Sequence, residues 1–148
     1  MIKKIDLTNL SQAQEVFKLQ QIAYSVEASY LGTREIPPLQ EDLETLRASQ
    51  ECFIGYYIEE SLVGVISYQS QKQVLDIHRL FVDPAFFGQG IAEKLLKELE
   101  KEKHQQVIVT TGTKNQPAIN FYLKQGFKQM KVFEVAKNLS LTMFQKRQ

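Results

Sequence analysis

Gly88 and Gly90 lie between an apolar run, Leu80-Phe81-Val82, and an amphipathic one that opens Ile91-Ala92. Without a Cβ, each lets the chain turn tightly and brings backbone amides close to a guest. The first amides of a helix lack internal partners and sit at the positive end of its dipole. The segment Arg79 to Ala92 therefore predicts a strand, a glycine-bracketed turn and a helix that together cradle a phosphate. Asp76 and His78 fall on alternate positions of the same strand, on the face of Leu80 and Val82 unless a bulge intervenes. Further on, Asn115 is placed to cap a helix after the turn Thr111-Gly112-Thr113-Lys114, and Tyr122 stands on that helix.

These groups need a frame, and the patterning predicts one. A short strand over residues 2 to 7 leads to a helix from Leu10 to Ser25, capped by Asn9 or Ser11, with Val16, Leu19, Ile22 and Ala23 near one face. Ala28 to Pro38, with Gly32 and Pro37-Pro38, predicts a loop before a second helix over residues 39 to 49. Cys52–Ile58, Leu62–Tyr68 and Val74–Val82 are rich in β-branched and aromatic residues. Their short polar linkers predict an antiparallel meander.

The helix after the glycines is expected from Gly88 to Lys103, with Ile91, Leu95, Leu96 and Leu99 inward and a Glu93–Lys97 pair outward. Gln106–Thr111 should then lie parallel to the strand before that helix. A helix over Asn115–Lys124, stopped by Gly126, and two strands near residues 127 to 136 and 139 to 145 complete the chain.

Length and composition exclude whole classes of function. The 148 residues suit a single domain, 43% of them hydrophobic and 24% charged, as in a folded globular protein. Eighteen basic and seventeen acidic side chains give a net charge of +1 with no long basic run, which argues against a nucleic-acid partner. One cysteine, Cys52, and two histidines offer neither an internal disulfide nor a zinc spacing, so no metal is expected. Cys52 itself is expected to be a buried small hydrophobe, and His104 a surface residue. No signal-like amino terminus and no stretch of about 18 apolar residues occurs, which predicts a cytoplasmic protein without membrane contact.

Taken together, the motifs resemble the GNAT superfamily of N-acetyltransferases. Its coenzyme A signature, Arg/Gln-x-x-Gly-x-Gly/Ala after a strand, corresponds to Phe87, Gly88, Gln89, Gly90, Ile91 and Ala92 following Leu80 to Pro84. A second signature, Asn-x-x-Ala-x-x-Phe-Tyr and then Gly-Phe, corresponds to Asn115, Ala118, Phe121, Tyr122, Gly126 and Phe127. Phe87 departs from the usual Arg or Gln, which removes a side-chain contribution there. The resemblance is clear over residues 52 to 135. It implies an α+β fold built on a mixed, mostly antiparallel sheet of six to seven strands with about four helices.

The implied reaction moves an acetyl group from acetyl coenzyme A to a primary amine by direct attack, a small amine or amino-acid-like acceptor being favoured. The chain would act as a monomer or homodimer. By the resemblance, Tyr122 protonates the leaving thiolate, as a phenol with a reference pKa of about 10 can do. Backbone amides near Leu80 and Val82 would meet the pantetheine and the thioester oxygen, with Phe81 between them. Asn115 would bond the pantetheine arm, and Ala118 and Phe121 would pack against it. Asp76 falls where some relatives hold a carboxylate base, His78 is its companion candidate, and an ordered water is the alternative to both.

The acceptor would be recognised between the first two helices and at the last strand turn, near residues 24 to 39 and 134 to 139. Glu27, Glu35, Glu41 and Glu134 would attract an ammonium, and Arg34 a carboxylate. A module that binds acyl coenzyme A without turnover is the alternative. A nucleotide-binding module is disfavoured, since no Gly-Lys-Ser/Thr follows the glycines.

Overall fold

The computed structural model describes residues 1–148. Strand β1 (Ile2–Ile5) leads into helix α1 (Leu10–Leu31), followed by the single-turn helices α2 (Pro37–Gln40) and α3 (Leu43–Arg47). Strands β2 (Cys52–Ile58), β3 (Ser61–Gln71) and β4 (Val74–Val82) form the expected antiparallel meander. A 3-10 turn (Pro84–Phe86) precedes α4 (Ile91–Leu99), and β5 (Gln106–Gly112), α5 (Gln116–Lys124), β6 (Lys128–Ala136) and β7 (Leu139–Arg147) follow. The seven strands make one sheet in the order β1-β2-β3-β4-β5-β7-β6. This is the mixed, mostly antiparallel α+β architecture expected from the sequence.

Several boundaries differ for local reasons. Helix α1 runs past Ser25 to Leu31 because nothing breaks it before Gly32, whose left-handed φ of 75° and amide bond to the Ala28 carbonyl close it. The added turns bring Ala28 and Leu31 into the core, while Ile22, expected inward, is exposed. The expected helix over 39 to 49 is split at Glu41-Asp42, where the Asp42 carboxylate accepts the Thr45 amide at 2.8 Å and starts a new turn. Helix α4 begins at Ile91 rather than Gly88, because Gly88 and Gly90 hold φ values of 79° and 75°. The Glu93–Lys97 pair forms at 3.0 Å.

The sheet separates two apolar layers. One, with Val16, Leu19, Ala23, Leu46, Phe53, Val65 and Phe81, lies under α1 to α3. The other, with Ile66, Leu75, Ile77, Leu95, Leu96, Leu99, Val107 and Phe144, lies under α4 and α5. Strand β4 serves both, because its pairing to β3 skips His78: Ser67 faces Arg79 and Tyr68 faces Ile77. That bulge shifts the alternation by one residue. Leu75 and Ile77 point into the α4–α5 layer before it, as Leu80 and Val82 do after it, while Phe81 points to the α1 layer. The expected single face for Asp76, His78, Leu80 and Val82 is therefore broken at His78.

Past the bulge the sheet opens. Strands β4 and β5 pair in parallel only from Val74–Gln106 to Ile77–Val109. The rest of β5 pairs with β7 alone, and the rest of β4 with β3 alone.

Candidate functional site

The opening between β4 and β5 leads into two adjoining cavities. Asp83, just past β4, donates its amide to Val63 of β3 at 2.8 Å. By strand alternation Phe81 also turns its backbone groups to β3, so the amides of Leu80 and Val82 point into the gap.

The first cavity, about 510 Å³, runs from the glycine turn along α4 and α5. Leu80, Phe81 and Val82 line it from β4, and Phe87, Gly88, Gly90, Ile91 and Ala92 from the turn and α4. Asn115, Ala118, Phe121 and Tyr122 line it from α5. Of the residues singled out in the sequence for this groove, Gln89 alone does not line it. A Cβ added at Gly88 or Gly90 would meet nothing within 4 Å, so the constraint at both is the positive φ, with open space above the α4 amides for a guest. Phe87, half exposed, stands at the rim.

The second cavity, about 440 Å³, lies beneath α1 and α2 and beside β7. Leu31, Ile36, Pro37 and Pro38 wall one side, and Val135, Leu139 and Leu141 the other. All of these but Leu141 come from the two segments expected to recognise an acceptor. Its floor is charged. Arg79, buried within the α1 layer, donates to Glu51 at 3.0 Å and 3.1 Å, to Gln20 at 2.8 Å, and to both carboxylate oxygens of Glu41. Glu51 also accepts the Ser67 hydroxyl at 2.6 Å.

Burial pulls the Glu51 carboxyl upward, but the bonds from Arg79 and Ser67 outweigh it and hold the group below its ordinary range. Burial likewise pulls Arg79 down, and the Glu41 and Glu51 carboxylates hold it above its usual value instead. A lone arginine inside the run Leu75 to Val82 is the sequence signal for this cluster, since a buried charge needs partners. Which carboxylates supply them is not written locally.

The cavities share six residues: Tyr24, Glu27, Leu80, Asn115, Ala118 and Tyr122. Tyr122 is buried, its ring edge-on to Phe121 at 5.2 Å and to Phe127 at 5.3 Å. Burial, and then the nearby negative charge of Glu27, push its phenol above the ordinary value, so it stays protonated at neutral pH. Tyr24 is raised for the same reasons, burial first. Asn115 caps α5 as expected, its Oδ1 accepting the Ala118 amide at 3.2 Å, while its Nδ2 donates to Glu27 Oε1 at 2.6 Å. Burial raises Glu27, and the bond from Asn115 opposes this only in part.

The two candidate bases of β4 are not brought together at this junction. His78 lines the second cavity, with Nδ1 3.4 Å from Glu51 and Nε2 3.5 Å from Asp76. Asp76 lines neither cavity; burial raises its carboxyl, and His78 pulls it back. Among the acceptor-side charges, Arg34, Glu35 and Glu134 are exposed outside both cavities, and Glu41 is taken by Arg79. Cys52 is exposed, since it is the first residue of β2 and precedes the buried stretch of that strand. His104 is buried, its Nδ1 2.6 Å from the Glu102 carbonyl oxygen. No cluster of His, Cys, Asp and Glu suits a metal ion, and no helix is long and apolar enough to cross a membrane.

A family model described as Acetyltransferase (GNAT) family matches residues 14–127. The chain belongs to this family. It is 34% identical over 146 residues to the UPF0157 protein YqkA of Bacillus subtilis (strain 168), an alignment covering 97% of the chain but 43% of that relative. It is also 29% identical over 131 residues to a streptothricin acetyltransferase from Escherichia coli, covering 83% of the chain and 73% of that protein. Among solved structures, the PaiA N-acetyltransferase of Thermoplasma acidophilum in complex with coenzyme A superposes with a TM-score of 0.79 at 18% identity, over 100% of this chain and 98% of that one.

Proposed function

We propose that the protein is an N-acetyltransferase that moves the acetyl group of acetyl coenzyme A to a primary amine by direct attack, a small amine or amino-acid-like acceptor fitting best. The observation that carries the reading is the junction: an apolar groove ending in a glycine cradle meets a carboxylate-bearing cavity at Tyr122. Family membership and the coenzyme A bound to the Thermoplasma relative support the donor.

In this reading the pyrophosphate lies on the amides of Gly88 to Ala92, where no side chain obstructs it. The pantetheine runs along Ala118 and Phe121 to the edge of β4. The amides of Leu80 and Val82 receive the thioester oxygen, whose developing charge they stabilise. Tyr122, kept neutral by burial and by Glu27, gives its proton to the departing sulfur. Glu27, Glu41 and Glu51 against the single arginine Arg79 give the acceptor cavity an excess of negative charge, which favours an ammonium.

Thiol release from acetyl coenzyme A, followed against a panel of small amines, amino acids and amino-terminal peptides, tests this. Amine-dependent release by the native protein, greatly reduced in Tyr122→Phe, is the expected result. Thermal stabilisation by coenzyme A without release for any amine would instead make the chain a binding module.

A further inference from the structure

We infer that Glu27 is the general base of the reaction: its free carboxylate oxygen takes the proton from the acceptor nitrogen while Asn115 holds the other. The inference rests on the acetyl-transfer reading above. Glu27 is the only carboxylate on the wall shared by the two cavities, where a thioester from one side and an amine from the other must meet. Every other candidate fails on position or occupation. Asp76 lines neither cavity, Glu41 and Glu51 are tied up by Arg79, and His78 sits between Asp76 and Glu51 on the acceptor side only.

The hold on Glu27 is specific. Asn115 must offer its oxygen to the Ala118 amide as cap of α5, which leaves its amide nitrogen aimed at Glu27 Oε1, a bond spanning 88 residues of sequence. Glu27 Oε2 makes no hydrogen bond to the protein and is left for a substrate. The environment also suits the role. Burial makes Glu27 more basic than an ordinary glutamate, while Glu51 is made less basic. The titratable groups facing the same two cavities are Tyr24 and Tyr30 on its own helix, Glu93 on α4, Tyr122 and Lys124 on α5, His78 and Arg79 on β4, Glu41 beyond α2, and Glu51 before β2.

The step balances without a further reagent. Glu27 takes one proton from the acceptor ammonium and returns it to bulk water. The freed nitrogen pair forms the N–C bond as the carbonyl pair moves onto oxygen. On collapse the C–S bond breaks, its pair goes to sulfur, and sulfur takes the Tyr122 proton. The second nitrogen proton returns to Tyr122 through solvent, leaving amide, thiol and one released proton.

Glu27→Gln keeps an oxygen for the Asn115 bond, so it removes the base with little change in shape. The variant should lower kcat about 10²–10⁴-fold, lose the acidic limb of the kcat/KM profile against pH, and leave thermal stabilisation by coenzyme A unchanged. Asn115→Ala removes a bond that lowers the Glu27 pKa, so its acidic limb should move to higher pH, which a purely structural role for Glu27 would not produce. Activity within about threefold of native in Glu27→Gln, with the acidic limb retained, would overturn the assignment while leaving acetyl transfer intact. Native protein that releases no thiol with any amine would overturn both.

Discussion

The groove along α4 and α5 and the cavity beneath α1 and α2 meet at one wall but are built by opposite means. The groove is made of backbone amides, two left-handed glycines and apolar side chains. The cavity has apolar walls over a charged floor, where Arg79 gathers Glu41, Glu51 and Gln20 from three separate segments. Backbone recognition suits a ligand that is the same for a whole family. A side-chain cluster suits a ligand that differs from member to member, because any one of its residues can change without disturbing the fold of the glycine turn.

The contrast can be broken at four points. Arg79→Met should have the largest effect, leaving Glu41 and Glu51 unpaired and costing roughly 3–5 kcal/mol in urea unfolding. A loss below about 1 kcal/mol would mean that the charged floor does not hold the cavity together. Tyr122→Phe keeps the ring packing and should lower kcat by about 10²-fold or more, with coenzyme A still stabilising the fold; equal activity would remove Tyr122 as the acid.

Gly90→Glu should cost about 1–3 kcal/mol from its left-handed backbone. It should also abolish stabilisation by coenzyme A, which in native protein amounts to about 2.7 kcal/mol at a hundredfold excess over Kd. Retained stabilisation would move the pyrophosphate elsewhere.

The smallest effects are in pH dependence, and their signs differ. Glu51 has a folded pKa below its ordinary 4.5, so its contribution is present above that value and is lost as pH falls through the folded pKa. Glu27 has a folded pKa above its ordinary 4.5, so its contribution is present below that value and is lost as pH rises through the folded pKa. At pH 7, Glu27→Gln should therefore raise the unfolding midpoint, on the order of 2 °C, while removing activity. A lowered midpoint would count against a carboxylate whose ionisation is disfavoured by burial at this position.

What the sequence disclosed follows the same divide. Strands β2 and β4, the glycine turn, the Asn115 cap and the Glu93–Lys97 pair were legible because each depends on neighbours within a few residues. The last turns of α1 are not legible, because the proline and glycine content of Ala28 to Pro38 suggests a loop although Gly32 alone closes the helix. The break at Glu41-Asp42 is not legible, because an acidic pair inside a helical pattern does not announce a new cap.

The bulge at His78 leaves no local mark, and it alone separates Asp76 from the side of Leu80 and Val82. Glu27 is legible as a candidate acceptor-side charge, but not as a partner of Asn115, because the two stand 88 positions apart. Long-range polar constellations are fixed by tertiary packing, which brings together side chains that no local periodicity connects.

The short pairing of β4 with β5 also has a mechanical meaning. The sheet is two stiff plates, β1 to β4 and β5 to β7, joined in the sheet by the four rungs from Val74–Gln106 to Ile77–Val109. Beyond them no backbone pairing ties β4 to β5, and a pantetheine arm lying on the edge of β4 would supply the missing rungs. The donor substrate would thus act as a temporary strand, damping the motion of one plate against the other and slowing hydrogen exchange at the Leu80 and Val82 amides for as long as it stays bound.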